Sequence, residues 1–237
     1  MTTPPFIVAV VPAAGIGSRM QADRPKQYLQ IHGQTILEHT LHALYKHPLI
    51  KRVVVALSPD DPFFEQLPLA QASWLTRVDG GRERCDSVHA ALSGLPDHCW
   101  ALVHDAARPC LAQHDIDKLI QACLEPDTPG AILATPVRDT MKRAHNNSAS
   151  PVQIAHTESR ENLWHALTPQ MFRVDQLRRA LEQAQRQGLS ITDEASAMEA
   201  AGHKVVLVDA DPANIKITRP ADMPLAQFYL SAQRHNS

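Results

Sequence analysis

Short hydrophobic runs alternate along this chain with segments in which hydrophobic residues recur at helical spacing. The first run, Phe6–Val11, is rich in β-branched residues and ends at Pro12. Runs of this kind are typical of strands that are buried on both faces, as parallel sheets require. We predict further strands at five similar runs: Arg52–Leu57, Trp74–Val78, Trp100–His104, Ala131–Thr135 and Lys204–Val208.

Amphipathic helical patterns lie between these runs. Thr35 and Glu38 form a capping box, and hydrophobic residues follow at Leu37, Leu41 and Leu44. Similar stripes occur at Val88–Leu95, Ile116–Cys123 and Val174–Ala184. Strands that alternate with helices predict an α/β fold, in which helices cover both faces of a mostly parallel sheet. Such sheets bind ligands beyond the carboxyl ends of their strands.

One segment departs from this alternation. Thr140–Arg143 and Val152–His156 are strand-like, and the turn-rich stretch His145–Ser150 separates them. This pattern predicts a projecting hairpin, and an isolated hairpin is marginally stable in water. It therefore packs against something, for which a second copy of the chain is the simplest candidate; the alternative is a flexible surface loop. We expect a single domain over residues 1–237, with a β-arm at about 138–158.

A Gly-rich loop follows the first predicted strand and is the leading candidate for anion binding. Consecutive backbone N–H groups in such a turn form an anion-binding nest, and two cations follow, Arg19 and Lys26. A triphosphate fits this pattern. A dinucleotide fingerprint would need glycine where Met20 stands, and a P-loop would need Gly-Lys-Ser/Thr. The structural alternative is a tight turn with solvated cations. The candidate loop residues are Pro12, Ala13, Ala14, Gly15 and Gly17.

Two further segments follow predicted strands. Gly80 and Gly81 expose backbone groups before a predicted helix, which Asp86 or Ser87 could cap. Donors in this segment could also recognise the edge of a base. Asp105 ends the most hydrophobic strand, where a carboxylate is well placed for Mg²⁺. Its structural alternative is a cap on the next turn.

Two residues late in the chain are candidates for a second anion site. Lys216 lies in an otherwise apolar stretch, and lysine is rarely buried unless it is paired, so an anionic ligand could pair it. Thr192 precedes a predicted helix. It could cap that helix or offer its hydroxyl to an anion.

Composition narrows the classes of function. The net charge of −2 and a pI near 6.7 give no basic excess for nucleic acid or an anionic membrane surface. The N-terminal apolar run is too short to span a membrane. The four cysteines have no C-x-x-C pairing, so we expect no disulfide framework and a reducing cytoplasm. The cysteines are Cys85, Cys99, Cys110 and Cys123.

Together, these segments resemble the 2-C-methyl-D-erythritol 4-phosphate cytidylyltransferases over nearly the whole chain. The resemblance is carried by VPAAGIGSRM with RPKQY, GGRERCDSV, LVHDAARP, PVRDTMKR, LWHALTPQ, TDEASAME and NIKITRP, in this order. It implies a Rossmann-like sheet, a homodimer joined by exchanged β-arms and dependence on Mg²⁺ or another divalent cation.

The resemblance also implies roles for individual residues. Arg19 and Lys26 match a pair that stabilises charge on the triphosphate, and Asp105 matches the metal-binding aspartate. Arg160 and Lys216 match the pair that positions the acceptor phosphate. The positions that hold the cytidine and its phosphates correspond to Ala13, Gly15, Gly81, Ser87 and Ala106. The implied acceptor-binding residues are Asp105, Arg108, Thr140, Arg160, Thr168, Thr192 and Lys216, with Thr140 reaching across the dimer.

The expected reaction is transfer of a cytidylyl group from CTP to 2-C-methyl-D-erythritol 4-phosphate. One alternative is a cytidylyltransferase for another polyol phosphate, such as ribitol 5-phosphate, which would share the CTP half of the site. Another is a non-catalytic nucleotide-binding regulator, for which loss of Arg19, Lys26 or Asp105 would be expected; all three are present.

Overall fold

The structure is a computed structural model that describes residues 4–15, 24–145 and 151–235. In chain order the strands are β1 (Ile7–Pro12), β2 (Gln30–Ile31), β3 (Gln34–Thr35), β4 (Ile50–Leu57), β5 (Leu75–Asp79), β6 (Trp100–Val103), β7 (Gly130–Pro136), β8 (Met141–Ala144), β9 (Ile154–Glu158), β10 (Trp164–Arg173) and β11 (Val206–Asp209). The helices are α1 (Ile36–Tyr45), α2 (Arg84–Ser93), α3 (Gln113–Leu124), α4 (Val174–Arg186), α5 (Glu194–Ala200) and α6 (Asp222–His235).

Seven strands form the central sheet in the order β11-β7-β10-β6-β1-β4-β5. Strand β1 lies between β4 and β6 and is parallel to both, and β5 and β11 also pair in parallel with their neighbours. Among the described strands of this sheet, only β10 runs antiparallel, between β6 and β7. The prediction of a mostly parallel α/β sheet is confirmed, and each of the six predicted sheet strands lies within two residues of its observed bounds.

Strand β10 was not predicted from the sequence. It contains Pro169, which argues against a central strand because proline cannot donate a ladder hydrogen bond. The structure accommodates the proline because pairing with β7 is interrupted between Ala166 and Gln170. This interruption lies beside the carboxyl end of β6, and the candidate metal ligand Asp105 comes just after that strand.

Hydrophobic cores lie on both faces of the sheet. Along β1, the side chains of Ile7, Ala9 and Val11 join the core that contains residues of α1 and α3. Those of Val8 and Val10 join the core that contains residues of α2, α4 and α5. Because successive side chains of a strand point to opposite faces, this division confirms that helices cover both sides of the sheet.

Helix α6, also not predicted, packs in a third cluster that includes Ile217 and Leu230. The NIKITRP segment is therefore held at the surface of the main body by the last helix. This segment carries Lys216, so α6 contributes to the position of that cation.

The predicted hairpin is present as β8 and β9, which pair from Met141 opposite Glu158 to Ala144 opposite Ile154. Most of its side chains are exposed, and its apolar residues Val152 and Ile154 are 72% and 62% exposed. The tip, residues 146–150, lies outside the described residues.

The four cysteines are free, as predicted, and three of them are buried: Cys99, Cys110 and Cys123. Among the helices in the described ranges, none is long and apolar enough to cross a membrane.

Candidate active site

A cleft of about 310 Å³ opens at the carboxyl edge of the sheet, where the loops after β1, β5 and β6 meet. A cleft of this size is large enough for a small ligand. It brings together ten of the residues predicted for the site: Pro12, Ala13, Ala14, Gly15, Lys26, Gly81, Ser87, Asp105, Ala106 and Lys216. The remaining lining residues are Gln27, Arg82, Glu83, Arg84 and Ala107.

Hydrogen bonds from two directions hold the start of the β1 loop. The Ala13 N–H donates to the Ala56 carbonyl at 2.7 Å, and Gln27 Nε2 donates to the Ala13 carbonyl at 2.9 Å. Lys26 opens a short 3₁₀ turn over Lys26–Tyr28, and its Nζ donates to the Ile217 carbonyl at 2.9 Å. Lys26 thus links the loop to the segment that carries Lys216. The predicted residues Gly17 and Arg19 lie outside the described residues.

The corner after β5 approaches the β1 loop closely. A Cβ at Gly80 would meet Ala14 Cβ at 2.8 Å and Ser87 Oγ at 2.8 Å, so this position requires glycine. Ser87 Oγ accepts the Gly81 N–H at 3.1 Å. The β1 loop and the corner after β5, both candidates for nucleotide binding, are therefore packed directly against each other.

The cap of α2 differs from the prediction. Its N-cap residue is Glu83, whereas Asp86 lies in the first turn and accepts the Glu83 N–H at 2.9 Å. Neither Asp86 nor Ser87 is the N-cap residue, because the helix begins one turn earlier than the hydrophobic stripe indicated.

Asp105 is buried and lies among three cations. Its Oδ1 accepts from Arg84 Nε at 2.9 Å, and its Oδ2 lies 2.8 Å from Lys216 Nζ and 3.6 Å from Arg108 Nε. Burial alone would raise the pKa of this carboxyl, but Arg84, Lys216 and Arg108 hold the pKa well below its usual range. Asp105 is therefore ionised at neutral pH.

Arg84 is the central residue that the sequence did not single out. Besides Asp105, its guanidinium binds both carboxylate oxygens of Glu194, with Nη1 to Oε1 at 2.7 Å and Nη2 to Oε2 at 2.9 Å. Burial opposes its charge, but Glu194 and Asp105 together raise the pKa of Arg84 above its usual range. The only sequence signal was its place in GGRERCDSV, beside the corner already noted.

Behind Asp105, His104 and Thr168 form a chain of hydrogen bonds whose direction is determined. His104 Nε2 faces the Arg108 carbonyl at 3.0 Å, which can only accept, so Nε2 carries the proton. Nδ1 then accepts from the Thr168 hydroxyl at 3.0 Å, and Thr168 Oγ1 accepts the Asp105 N–H at 3.0 Å. Burial lowers the pKa of His104 to about 4, so the ring is neutral at physiological pH. The Thr168 hydroxyl is buried and engaged within the protein.

The NIKITRP segment is fastened to the loop after β6. Arg108 Nη1 donates to the Asn214 carbonyl at 2.7 Å, and the Ile217 N–H donates to the Ala107 carbonyl at 2.9 Å. Contrary to the expectation of a buried lysine, the Lys216 side chain is 39% exposed, and its partner is a protein carboxylate. This follows because the segment crosses the rim of the cleft as irregular chain.

Five predicted acceptor residues lie outside the cleft lining that the described residues form: Arg108 and Thr168 are buried behind it, and the other three are exposed. Thr140 and Arg160 are exposed at the base of the hairpin, where the Arg160 guanidinium donates to the Arg138 carbonyl. Thr192 is also exposed, and its N–H donates to Ser196 Oγ at 3.2 Å. Of the two alternatives for Thr192, the helix cap is wrong: Asp193 is the N-cap residue of α5, and its carboxylate accepts the Ser196 N–H at 2.9 Å.

Comparison with known proteins gives one consistent result. The family model described as 2-C-methyl-D-erythritol 4-phosphate cytidylyltransferase matches residues 7–232. A protein of that name from Pseudoalteromonas atlantica is 59% identical over 230 residues, which cover 97% of both chains. Another from Vibrio vulnificus is 57% identical over 232 residues and covers 96% of both.

Solved structures agree with this result. The crystal structure of the Francisella tularensis 2-C-methyl-D-erythritol 4-phosphate cytidylyltransferase matches with a TM-score of 0.81 and 32% identity, covering 94% of this chain and 99% of that chain. That of the Thermus thermophilus protein matches with a TM-score of 0.77 and 29% identity, covering 94% and 98%. From its sequence and its fold, the chain belongs to the 2-C-methyl-D-erythritol 4-phosphate cytidylyltransferase family.

Proposed function

We propose that this enzyme joins CTP to 2-C-methyl-D-erythritol 4-phosphate, forming 4-diphosphocytidyl-2-C-methyl-D-erythritol and pyrophosphate, a step in isoprenoid precursor biosynthesis. An oxygen of the acceptor phosphate attacks the α-phosphorus of CTP, and the bond to the β-phosphate breaks. The single observation that carries this proposal is the cleft itself, in which Lys26 and the start of the Gly-rich loop, residues 12–15, lie beside the Asp105–Lys216 pair.

The central difficulty of this reaction is electrostatic. The nucleophile is already an anion, so no general base is required. Repulsion between two unit charges at 4 Å is about 4 kcal/mol at an effective dielectric constant of 20, and both reactants carry several charges. The cations and backbone donors of the cleft offset this repulsion in fixed positions, which is how phosphoryl-transfer enzymes commonly act. Lys26 faces the triphosphate, and Arg19 is proposed to act with it.

Lys216 and Arg160 are proposed to hold the acceptor phosphate. Lys216 is suited to this role because it is half-exposed at the rim of the cleft and already binds an anionic group, Asp105. In the presence of acceptor, its ammonium would exchange that carboxylate for the phosphate. Arg108, Thr168 and Thr192 belong to the same proposed half of the site.

Asp105 fits a divalent cation as a single protein ligand. Its carboxylate is ionised and borders the cleft, and Mg²⁺ is often held by one or two carboxylates together with substrate phosphates. The described residues contain no cluster of three or more metal-ligating side chains, so the phosphates would complete the coordination. When bound, the cation would neutralise charge on phosphate oxygens. We therefore propose dependence on Mg²⁺ or a similar ion.

We further propose that the chain acts as one domain that dimerises by exchanging its β-arm, at about residues 138–158. Val152 and Ile154 support this, because these two apolar side chains lie close together in the hairpin and are both largely exposed. In such a dimer, Thr140 would reach the partner's acceptor site. The four free cysteines support a reducing compartment, for which we propose the cytoplasm.

An acceptor comparison tests the proposed function. Pyrophosphate release would be measured with CTP and Mg²⁺ in the presence of 2-C-methyl-D-erythritol 4-phosphate, ribitol 5-phosphate or no acceptor. We expect release only with the first acceptor. Faster release with ribitol 5-phosphate would favour the other cytidylyltransferase, and CTP binding without release would favour a nucleotide-binding regulator.

A further inference from the structure

Glu194 is a buried acid that lies directly behind the cleft. Its side chain is 1% exposed, and it is the first residue of α5. It is not among the described residues that line the cleft. Burying a carboxylate is costly unless the charge is paired, and Glu194 is paired with Arg84. Because a buried ion pair often adds little stability compared with apolar residues, its presence here requires another explanation.

The backbone around Glu194 is fixed from the central sheet. The next residue, Ala195, donates its N–H to Gln170 Oε1 at 2.9 Å. The preceding residue, Asp193, accepts from Gln170 Nε2 at 2.8 Å. A single buried glutamine on β10 therefore holds both neighbours of Glu194, and the carboxylate leaves the helix at a defined position.

Glu194 in turn defines the orientation of Arg84. The guanidinium is planar and presents its donors in a fixed fork, so a two-point contact through Nη1 and Nη2 determines where Nε points. In this structure Nε points at Asp105 Oδ1, 2.9 Å away. A contact through one oxygen would leave the guanidinium free to rotate away from Asp105.

We propose that Glu194 is a positioning residue for cytidylyl transfer: through the two-point contact with Arg84, it holds the Asp105 carboxylate in place at the cleft. This inference rests on the proposed function. It assigns a functional role to a side chain that does not itself line the cleft among the described residues, but contacts Arg84, which does.

The first test replaces Glu194 by glutamine, which keeps the size of the side chain but offers Arg84 only one acceptor. We expect kcat to fall between about 10-fold and 100-fold, as for a misplaced catalytic group, while KM for CTP changes by less than about threefold. The matched control is Asp115→Asn, because Asp115 is a fully buried acid that pairs with Lys118 and the Asp211 N–H outside the cleft. A kcat within twofold of wild type for Glu194→Gln would overturn the proposal.

A second measurement needs no substrate. The Nε–H signal of Arg84 in a ¹⁵N–¹H spectrum can be assigned by its loss in Arg84→Lys. We expect it to shift or broaden in Glu194→Gln and to be unchanged in Asp115→Asn. An unchanged signal in Glu194→Gln would overturn the proposal. Because this test is independent of turnover, it distinguishes failure of this inference from failure of the proposed function.

If Glu194→Gln does not fold, the double variant Arg84→Met with Glu194→Leu keeps the proposal testable. Replacing a buried ion pair by apolar residues of similar size is often neutral for stability. We expect this double variant to have the thermal unfolding midpoint of the wild type and a kcat as low as that expected for Glu194→Gln. Recovery of wild-type kcat would mean that the pair is only structural, and would overturn the proposal.

Discussion

At the scale of single residues, Asp105 concentrates the electrostatics of the site. It is paired with Arg84 and Lys216 and lies near Arg108, so one carboxylate holds three cations at the edge of the cleft. Its own backbone N–H is held by Thr168. These fixed cations suit the proposed binding of anionic substrates, as expected of a site that stabilises developing charge.

Lys26 is the described cation that faces the proposed triphosphate site from the Gly-rich loop. We expect Lys26→Ala to lower kcat by about 100-fold, in line with the loss of a preorganised charge. The matched control is Lys51→Ala, because Lys51 also donates to a backbone carbonyl, that of Pro48, but on the exposed surface. Equal, near-wild-type turnover in both variants would contradict the role of Lys26.

His104 is expected to support the site through Nδ1, which accepts the hydrogen bond from the Thr168 hydroxyl. His104→Asn places an amide oxygen near the position of Nδ1, whereas His104→Gln extends toward Nε2 and leaves the Thr168 hydroxyl without its acceptor. An unsatisfied buried donor costs roughly 1–3 kcal/mol, so we expect kcat/KM of the glutamine variant to be lower by about tenfold. Steady-state kinetics of both variants check this. A glutamine variant as active as the asparagine variant would show that Nδ1 is unimportant.

At the scale of elements, the unpredicted strand β10 supports much of the site. It carries Thr168, which binds the Asp105 N–H, and Gln170, which anchors α5. The sequence pattern could not reveal this strand, because Pro169 and the polar residues around it interrupt the apolar run that marks the other strands. Parallel strands have a continuous apolar signal, and six strands of the sheet were predictable for that reason, although β5 and β11 at its two edges are partly exposed.

The loop after β5 packs against the β1 loop through Gly80. Replacing Gly80 by alanine would bring a Cβ to 2.8 Å from both Ala14 Cβ and Ser87 Oγ, so one of the two loops must move. We expect KM for CTP to rise by about tenfold or more, since a displacement of this size can be costly in a binding site. Gly94→Ala serves as the control, because a Cβ there meets nothing within 4 Å. Unchanged kinetics in Gly80→Ala would contradict the proposed nucleotide site.

The β-arm is expected to make the contact between subunits. Replacing Val152 and Ile154 by lysine places two charges on its exposed apolar surface, and we expect the dimer to dissociate to monomers in sedimentation measurements at micromolar concentration. Phe228→Lys is the control, because Phe228 is similarly exposed at 65% but lies on α6. The arm assignment would be contradicted if the double variant stayed dimeric or if the control dissociated.

At the scale of the whole molecule, the fold class and the family could be predicted because the motifs that define them are local. Each of these motifs is a short run of adjacent residues that can be recognised without knowledge of the fold, as in GGRERCDSV, LVHDAARP and NIKITRP. The partners of Asp105 could not be predicted in the same way. Lys216 is distant in sequence from Asp105, as Glu194 is from Arg84, and these pairs form only because the NIKITRP segment and α5 fold back onto the carboxyl edge of the sheet.

The most direct test of the central claim is a nucleotide comparison with the full chain. Pyrophosphate release and the mass of the product would be measured with 2-C-methyl-D-erythritol 4-phosphate, Mg²⁺ and each of CTP, UTP, ATP and GTP. We predict that CTP gives the highest kcat/KM, with one pyrophosphate released for each molecule of 4-diphosphocytidyl-2-C-methyl-D-erythritol formed. Pyrophosphate release that does not depend on the acceptor, or a clear preference for another nucleotide, would contradict the account.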